Sequence, residues 1–320
     1  MPEITVSARD GAPQETAADT RVLGLFEGEK LAEPELQQLV ELGEAKPGLG
    51  KVAVAHEDAP GGGRRRVLIA GFGKRDEFDT EKARVAASAV AARAKELGAV
   101  SLSWALPDDD AQLGLVEGTL LRLYSFDRFK STKNDDDDDG NQDDGLESLE
   151  IAGPGASADE VRRGQLTASA ANRVRDLQNL PSNVANPLFL AARAEEIAGA
   201  HGAVEAELLG REEIRERGMG AFTAVAQGTY AEPQLIVLRY TGGSAGPHLG
   251  FVGKAVTFDT GGISLKPGAR MSEMKFDMSG GAAVLESIDT IANMGLPVTI
   301  TAVVPATENM PSGRSVKPGD

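Results

Sequence analysis

The chain has no cysteine. That excludes a disulfide scaffold and any thiolate metal site, and a reducing compartment is consistent with it. Histidine is scarce: His56, His201 and His248 are scattered along the sequence. No HExxH is present, which argues against a histidine-based zinc protease. No histidine has a recognisable partner for a serine nucleophile. Positive charge is short as well, with 33 Lys and Arg against 49 Asp and Glu, a formal net charge of −16. A nucleic-acid partner would need a basic footprint, and an anionic membrane surface would repel such a chain. No apolar run reaches the length needed to cross a bilayer. The start, MPEITVSARDGAPQET, lacks the basic stretch and apolar run of a signal peptide. The expectation is a cytoplasmic globular protein. Its 320 residues, 41% of them hydrophobic, suffice for a buried core and about two domains.

The first part alternates strand and helix signals. Val52–Ala55 and Val67–Ala70 read as short strands, the second followed by the turn Gly71-Phe72-Gly73. The Ala-, Arg-, Lys- and Glu-rich segment from Thr80 to Leu97 reads as a helix closed by Gly98. Ser101–Leu106 returns to strand, so a parallel βαβ unit is expected. Gly71-Phe-Gly73 lacks the third glycine of a dinucleotide loop and reads as an ordinary turn. Residues 135–150 hold seven aspartates and two glutamates. Such a run repels itself and reads as a solvated loop, placed at 131–150. A calcium loop at Asp135–Asp139 would need ligands at alternating positions, which consecutive aspartates do not give. Helical character resumes at Ser157, where Ser157-Ala-Asp-Glu160 has capping-box spacing. A second helix starts at Asn186-Pro187. Strands are expected at Gln234–Tyr240, Gly250–Thr257 and Val298–Val304, with a helix from Gly280 to Asn293. The predicted architecture is α/β: an N-terminal α/β domain at 1–155, a linking helix at 156–185, and a second α/β domain at 186–320. The central sheet of that second domain is expected to be mixed or parallel.

The chemistry concentrates in the segment from Val252 to Pro267. An apolar strand ends there in a polar turn, where open α/β sheets bind ligands. Lys254 reads as a lysine within a central apolar strand, costly to bury unless paired or deprotonated. Asp259 precedes Gly261-Gly262, a pair that permits positive φ and close backbone approach. Lys266 follows, stiffened by Pro267. Met274-Lys-Phe-Asp-Met278 then places Asp277 just before Ser279-Gly-Gly-Ala-Ala, at a helix start. Any one of these residues alone reads as an ordinary salt-bridge partner. The four together, beside two glycine pairs, favour a functional site. Carboxylate oxygens suit magnesium, manganese or zinc. A lysine can join them as a neutral amine where a dication lowers its pKa.

At these residues the sequence resembles the leucyl aminopeptidases, the cytosol aminopeptidase family. The match lies in VGKAVTFDTGGISLKP, MKFDMSGGAAVL and VVPATENMPSGRSVKPGD. It extends back through Arg175–Asn183 and Gly218–Gly228, with VLIAGFGKRDEF the clearest N-terminal stretch. The resemblance implies a metal-dependent exopeptidase that releases leucine-like N-terminal residues from peptides, with two divalent ions, Mn2+ or Zn2+ and possibly Mg2+. Lys254, Asp259 and Asp277 would be metal ligands, Asp259 bridging. Lys266 would be the catalytic lysine at the scissile carbonyl, substrate-binding together with Asp277. Met274 would line the pocket for the first side chain, although plain packing explains a methionine nearly as well. Paired metals about 3.5–4 Å apart activate a bridging water and act as a Lewis acid. The family also implies a homo-hexamer, and a bicarbonate held by an arginine.

One departure matters. The remaining family ligands lie in a motif of the type NTDAEGR, which does not occur in these 320 residues. By the resemblance it would fall roughly sixteen to twenty residues beyond Asp320. The resemblance thus implies a smaller N-terminal α/β domain followed by a larger α/β catalytic domain, the latter incomplete at the C-terminus in residues 186–320. One metal would keep three side-chain ligands and the other only Asp259, with little or no peptidase activity in the free chain. The rival reading is a non-catalytic scaffold of the same fold.

Overall fold

The computed structural model describes residues 4–131, 145–243 and 246–320. The chain divides between Ser169 and Ala170 into two compact units. The acidic stretch singled out above lies largely outside the described residues.

The N-terminal unit holds Thr5–Arg9 (β1), Thr20–Phe26 (β2), Pro34–Glu41 (α1), Val52–Asp58 (β3), Arg64–Gly73 (β4), Thr80–Glu96 (α2), Ser101–Ala105 (β5), Gln112–Leu123 (α3) and Ser148–Ala152 (β6). The sheet order is β1-β6-β5-β2-β4-β3. All its pairings are parallel except β3 with β4. Parallel strands buried on both faces read as continuous apolar runs, and Val22-Leu23 and Val67–Ala70 do. Val22, Leu68, Ala70 and Trp104 pack toward the alanine face of α2. Leu23, Leu25, Val67 and Ile69 pack on the opposite side with Leu36 of α1. The α2 helix begins on the Asp79 side chain, which accepts from the Lys82 N–H at 2.8 Å.

Strand β6 corrects the loop expected at 131–150, whose last three residues are strand. The high charge of the preceding run masks a short alternating pattern. Leu149 and Ile151 are fully buried. Glu150 points the other way and is satisfied there by Arg9 Nε at 2.9 Å and by the Ser103 hydroxyl at 2.7 Å.

Ala158–Asn179 (α4) begins in the first unit and ends in the second. The Glu160 N–H reaches the Ser157 hydroxyl at 3.4 Å. The C-terminal unit continues with Pro187–Ala200 (α5), Val204–Leu209 (β7), Arg211–Glu216 (α6), Gly220–Ala226 (α7), Gln234–Thr241 (β8), His248–Val252 (β9), Ala255–Asp259 (β10), Ser279–Met294 (α8) and Thr299–Asn309 (β11). Its sheet runs β10-β11-β8-β7, with β9 also on β11. The β11 strand is parallel to β9 and β10 and antiparallel to β8, so the sheet is mixed. Along β11, Ile300, Ala302, Val304 and Ala306 pack with α5 and α8. Val303 faces α6 and α7 with Ile214 and Phe222.

The strand expected at Gly250–Thr257 is two strands. Gly253 and Lys254 interrupt it. Lys254 is therefore not a buried lysine in a central strand. It sits in a break beside β10, which is at the end of the sheet order, and its side chain is 58% exposed. The break has a packing cause. A Cβ on Gly253 would lie 2.5 Å from the Gly280 carbonyl oxygen, so only glycine lets this backbone meet the start of α8.

Candidate metal centre

Three chain segments around β10 send side chains toward Asp259, its last residue. The first is the Gly253-Lys254 break, fixed by the Gly281 N–H, which donates to the Lys254 carbonyl at 2.7 Å. The second is the turn after Asp259. Gly261 and Gly262 adopt φ of 89° and 67°, and the Lys266 N–H closes the loop on the Thr260 carbonyl at 2.9 Å. The third is the short 3-10 helix Met271–Phe276, which delivers Asp277 immediately before α8.

The side chains of Lys254, Asp259, Lys266 and Asp277 come together there, as a set. Lys254 Nζ lies 2.5 Å from Asp277 Oδ2 and 4.0 Å from Asp259 Oδ2. Lys266 Nζ lies 2.7 Å from the same Asp259 Oδ2. Met274 touches Lys266 rather than standing apart, its Sδ accepting from Nζ at 3.2 Å. Burial alone would raise the Asp259 pKa. The hydrogen bonds from Lys266, the Gly261 N–H and Asn309 outweigh it, and the carboxyl is held below its usual range. Asp259 is therefore ionised and buried, facing two ammonium groups that are themselves 58% and 38% exposed.

The donor set suits a hard dication. Two carboxylates and an amine converge, and Oδ2 of each carboxylate already faces a lysine. Among the described residues no group of three or more His, Asp or Glu side chains is arranged to hold a metal ion. The site thus offers three side-chain donors, and one of them, Lys254, must lose its proton to bind.

Asn309 carries no separate role in the sequence reading. It lies within the quoted run VVPATENMPSGRSVKPGD, yet its amide donates to Asp259 Oδ1 at 2.7 Å. The signal that finds it is strand register, since Asp259 and Asn309 are partners on β10 and β11. The run Gly242-Gly-Ser-Ala-Gly246 has the spacing of a nucleophile elbow. Its serine lies outside the described residues, and the run joins two strands instead of a strand and a helix, the wrong context for that chemistry.

Two family models match the chain. Residues 13–133 match the N-terminal domain of the cytosol aminopeptidase family, and residues 172–320 match its catalytic domain. A probable cytosol aminopeptidase of Ralstonia pickettii (strain 12J) is 40% identical, covering 99% of this chain and 68% of its own length. One from Ralstonia nicotianae is 41% identical, covering 95% of the chain and 64% of its own length. Among solved structures, the bottromycin maturation enzyme BotP in complex with Mn superposes with a TM-score of 0.77 at 29% identity, over 95% of this chain and 62% of that one. The chain thus spans about two-thirds of the length of these relatives. With both domain models matched and relatives near 40% identity over almost the whole sequence, the chain belongs to the cytosol aminopeptidase family.

Proposed function

We propose that this chain carries the first part of a two-metal aminopeptidase site, with Lys254, Asp259 and Asp277 as ligands and Lys266 as the group that meets the substrate carbonyl. The observation behind this reading is the convergence of those side chains at one strand end. A divalent ion held there would supply Lewis acidity and a bound water of lowered pKa. Asp259 and Asp277 contribute anionic oxygen. Lys254 contributes an amine once deprotonated. Lys266, with an exposed approach and no need to ligate, keeps its proton and stabilises negative charge as it develops on the carbonyl oxygen. Met274 holds Lys266 by its thioether and borders the space for the first side chain of the peptide.

The BotP structure with Mn supports manganese as a fitting ion, and zinc is the other candidate. Peptides with leucine-like N-termini are the proposed substrates, the cytoplasm the proposed setting, and a homo-hexamer the proposed assembly of the whole protein. For a second metal, Asp259 is the donor these residues supply, so hydrolysis by this chain alone should be slight. The test is paired. Calorimetry with MnCl2 should show binding that depends on Asp259, and release of the aniline from a leucine anilide should be far below that of a full-length relative. Turnover equal to the relative would overturn the partial-site reading. Absence of Asp259-dependent Mn2+ binding would leave the non-catalytic scaffold as the better account.

A further inference from the structure

We propose that Asn309 is a positioning residue of this site, tying down one oxygen of the Asp259 carboxylate so that only the other is offered to a cation. The inference rests on the reading of Asp259 as a metal ligand.

The geometry begins with the backbone. Asp259 and Asn309 are the last register pair of two parallel strands. Beyond them, both the N–H and the hydroxyl of Thr260 donate to the Asn309 carbonyl, at 2.9 and 2.8 Å. The Asn309 main chain is therefore pinned at the rung where Asp259 sits. From there Nδ2 donates to Asp259 Oδ1 at 2.7 Å, and the Gly261 N–H donates to the same oxygen at 2.8 Å. Oδ1 takes two neutral donors. Oδ2 takes Lys266 at 2.7 Å and has Lys254 at 4.0 Å. The two oxygens are sorted by the kind of partner each receives.

A carboxylate without such a clamp can turn about its Cβ–Cγ bond and present either oxygen, or both, to a cation. Here the amide and the Gly261 N–H fix that rotation. The loop also passes close to the far end of the amide. A Cβ on Gly262 would lie 3.0 Å from Asn309 Oδ1, so a side chain at that position would press on the carboxamide. Groups that orient a ligand in this way change metal affinity by about 10–100-fold when removed.

The test uses the full 320-residue chain and two variants. Asn309→Leu keeps most of the volume and removes the donor, and Asn309→Ser shortens the side chain. Free Mn2+ is titrated by electron paramagnetic resonance, Co2+ is added to read visible bands, and melting of the metal-free proteins is recorded. The expected result is Mn2+ affinity about tenfold or more below wild type, altered Co2+ bands as Asp259 is freed to rotate, and metal-free melting within a few degrees of wild type. Wild-type affinity and unchanged Co2+ bands in the folded variants, with binding abolished in Asp259→Asn, would overturn the role of Asn309 alone. Failure of the wild-type chain to bind Mn2+ would overturn the metal-site reading and this inference together. If Asn309→Leu does not fold, Asn309→Ser decides. If neither folds without metal, Asn309 is structural and the proposal fails.

Discussion

Each unit contains a carboxylate held between two cations, and the two arrangements differ in a telling way. In the N-terminal unit Glu57 on β3 receives Arg21 from β2 and Arg65 from β4. Arg21 Nε and Arg65 Nε donate to Glu57 Oε1 at 2.8 and 2.7 Å, and a second Arg21 nitrogen binds Oε2. Arg21 is fully buried and bonds Glu33 as well, while Arg65 also spans to the carbonyls of Thr16 and Gln14. In the C-terminal unit Asp259 faces two lysines whose side chains are 58% and 38% exposed. Both carboxyls sit below their usual pKa. Arginine keeps its proton and forms rigid forked bonds, so the Glu57 cluster is a clamp. Lysine ammonium is a compact charge that can lose its proton beside a dication, so the Asp259 cluster can exchange one cation for another. Each place sets two cations around a carboxylate, and the chemistry and the exposure of those cations separate a fastener from the proposed site.

The largest effect should come from breaking the clamp. Glu57→Gln leaves Arg21 buried with Glu33 as its remaining carboxylate and Arg65 with backbone acceptors. Removing one partner of a buried ion pair costs about 3 kcal/mol or more. Trp104 is the chain's single tryptophan and is fully buried in this unit, so its fluorescence during urea unfolding reads the loss locally. A change below about 0.5 kcal/mol would mean the arginines hold nothing that water cannot replace.

The same kind of change at the other carboxylate should act on binding instead. Asp259→Asn is expected to reduce Mn2+ affinity on the order of a hundredfold or more, while the Trp104 transition stays where it was. If metal-free unfolding of the C-terminal unit, followed by circular dichroism, moved as far as the Glu57 variant moves Trp104, Asp259 would be a fastener too and the contrast would collapse.

Much of this was readable from the sequence, and the failures share a cause. The helices at 80–96 and 279–294 stand out because composition and end signals agree over several turns. The four candidate site residues stand out because two lysines and two aspartates gather beside two glycine pairs in one short segment. Lys254 was misplaced because Gly250–Thr257 reads as one apolar run. The break at Gly253 comes from contact with Gly280, a neighbour far along the chain. Strand β6 hid behind the charge of the acidic run. Asn309 needed the register of β10 on β11, and Arg21 needed the order of a six-stranded sheet to meet Glu57. Local pattern does not carry pairings of that kind.

Acid should weaken the clamp by a smaller margin. The folded-state pKa of Glu57 is depressed, because contacts with Arg21 and Arg65 outweigh the opposing effect of burial. Its contribution is complete above the ordinary glutamate value of 4.5 and is lost as pH falls through the lower folded value. The stability difference between wild type and Glu57→Gln, read at Trp104, should thus be constant near neutrality and shrink below pH 4.5. A difference that grew on acidification would reverse the sign of the argument.

The smallest effect is the one that best distinguishes the two lysines. Lys254 is read as a ligand and Lys266 as a cation that remains charged. Lys266 occupies Asp259 Oδ2, the oxygen a metal would use. Removing it takes away both a competitor for that oxygen and a like charge beside the incoming ion. Lys266→Met should therefore raise Mn2+ affinity by about fivefold, the equivalent of the ~1 kcal/mol that a unit charge exerts at close range in a solvated setting. Lys254→Met should lower it, because a donor is lost along with the charge. Opposite signs from two lysines around one carboxylate would follow from the division of roles and from nothing in their charge alone. Equal losses from both would make Lys266 a ligand, and equal gains would make both of them mere counterions, returning the Asp259 cluster to the same category as the arginine clamp.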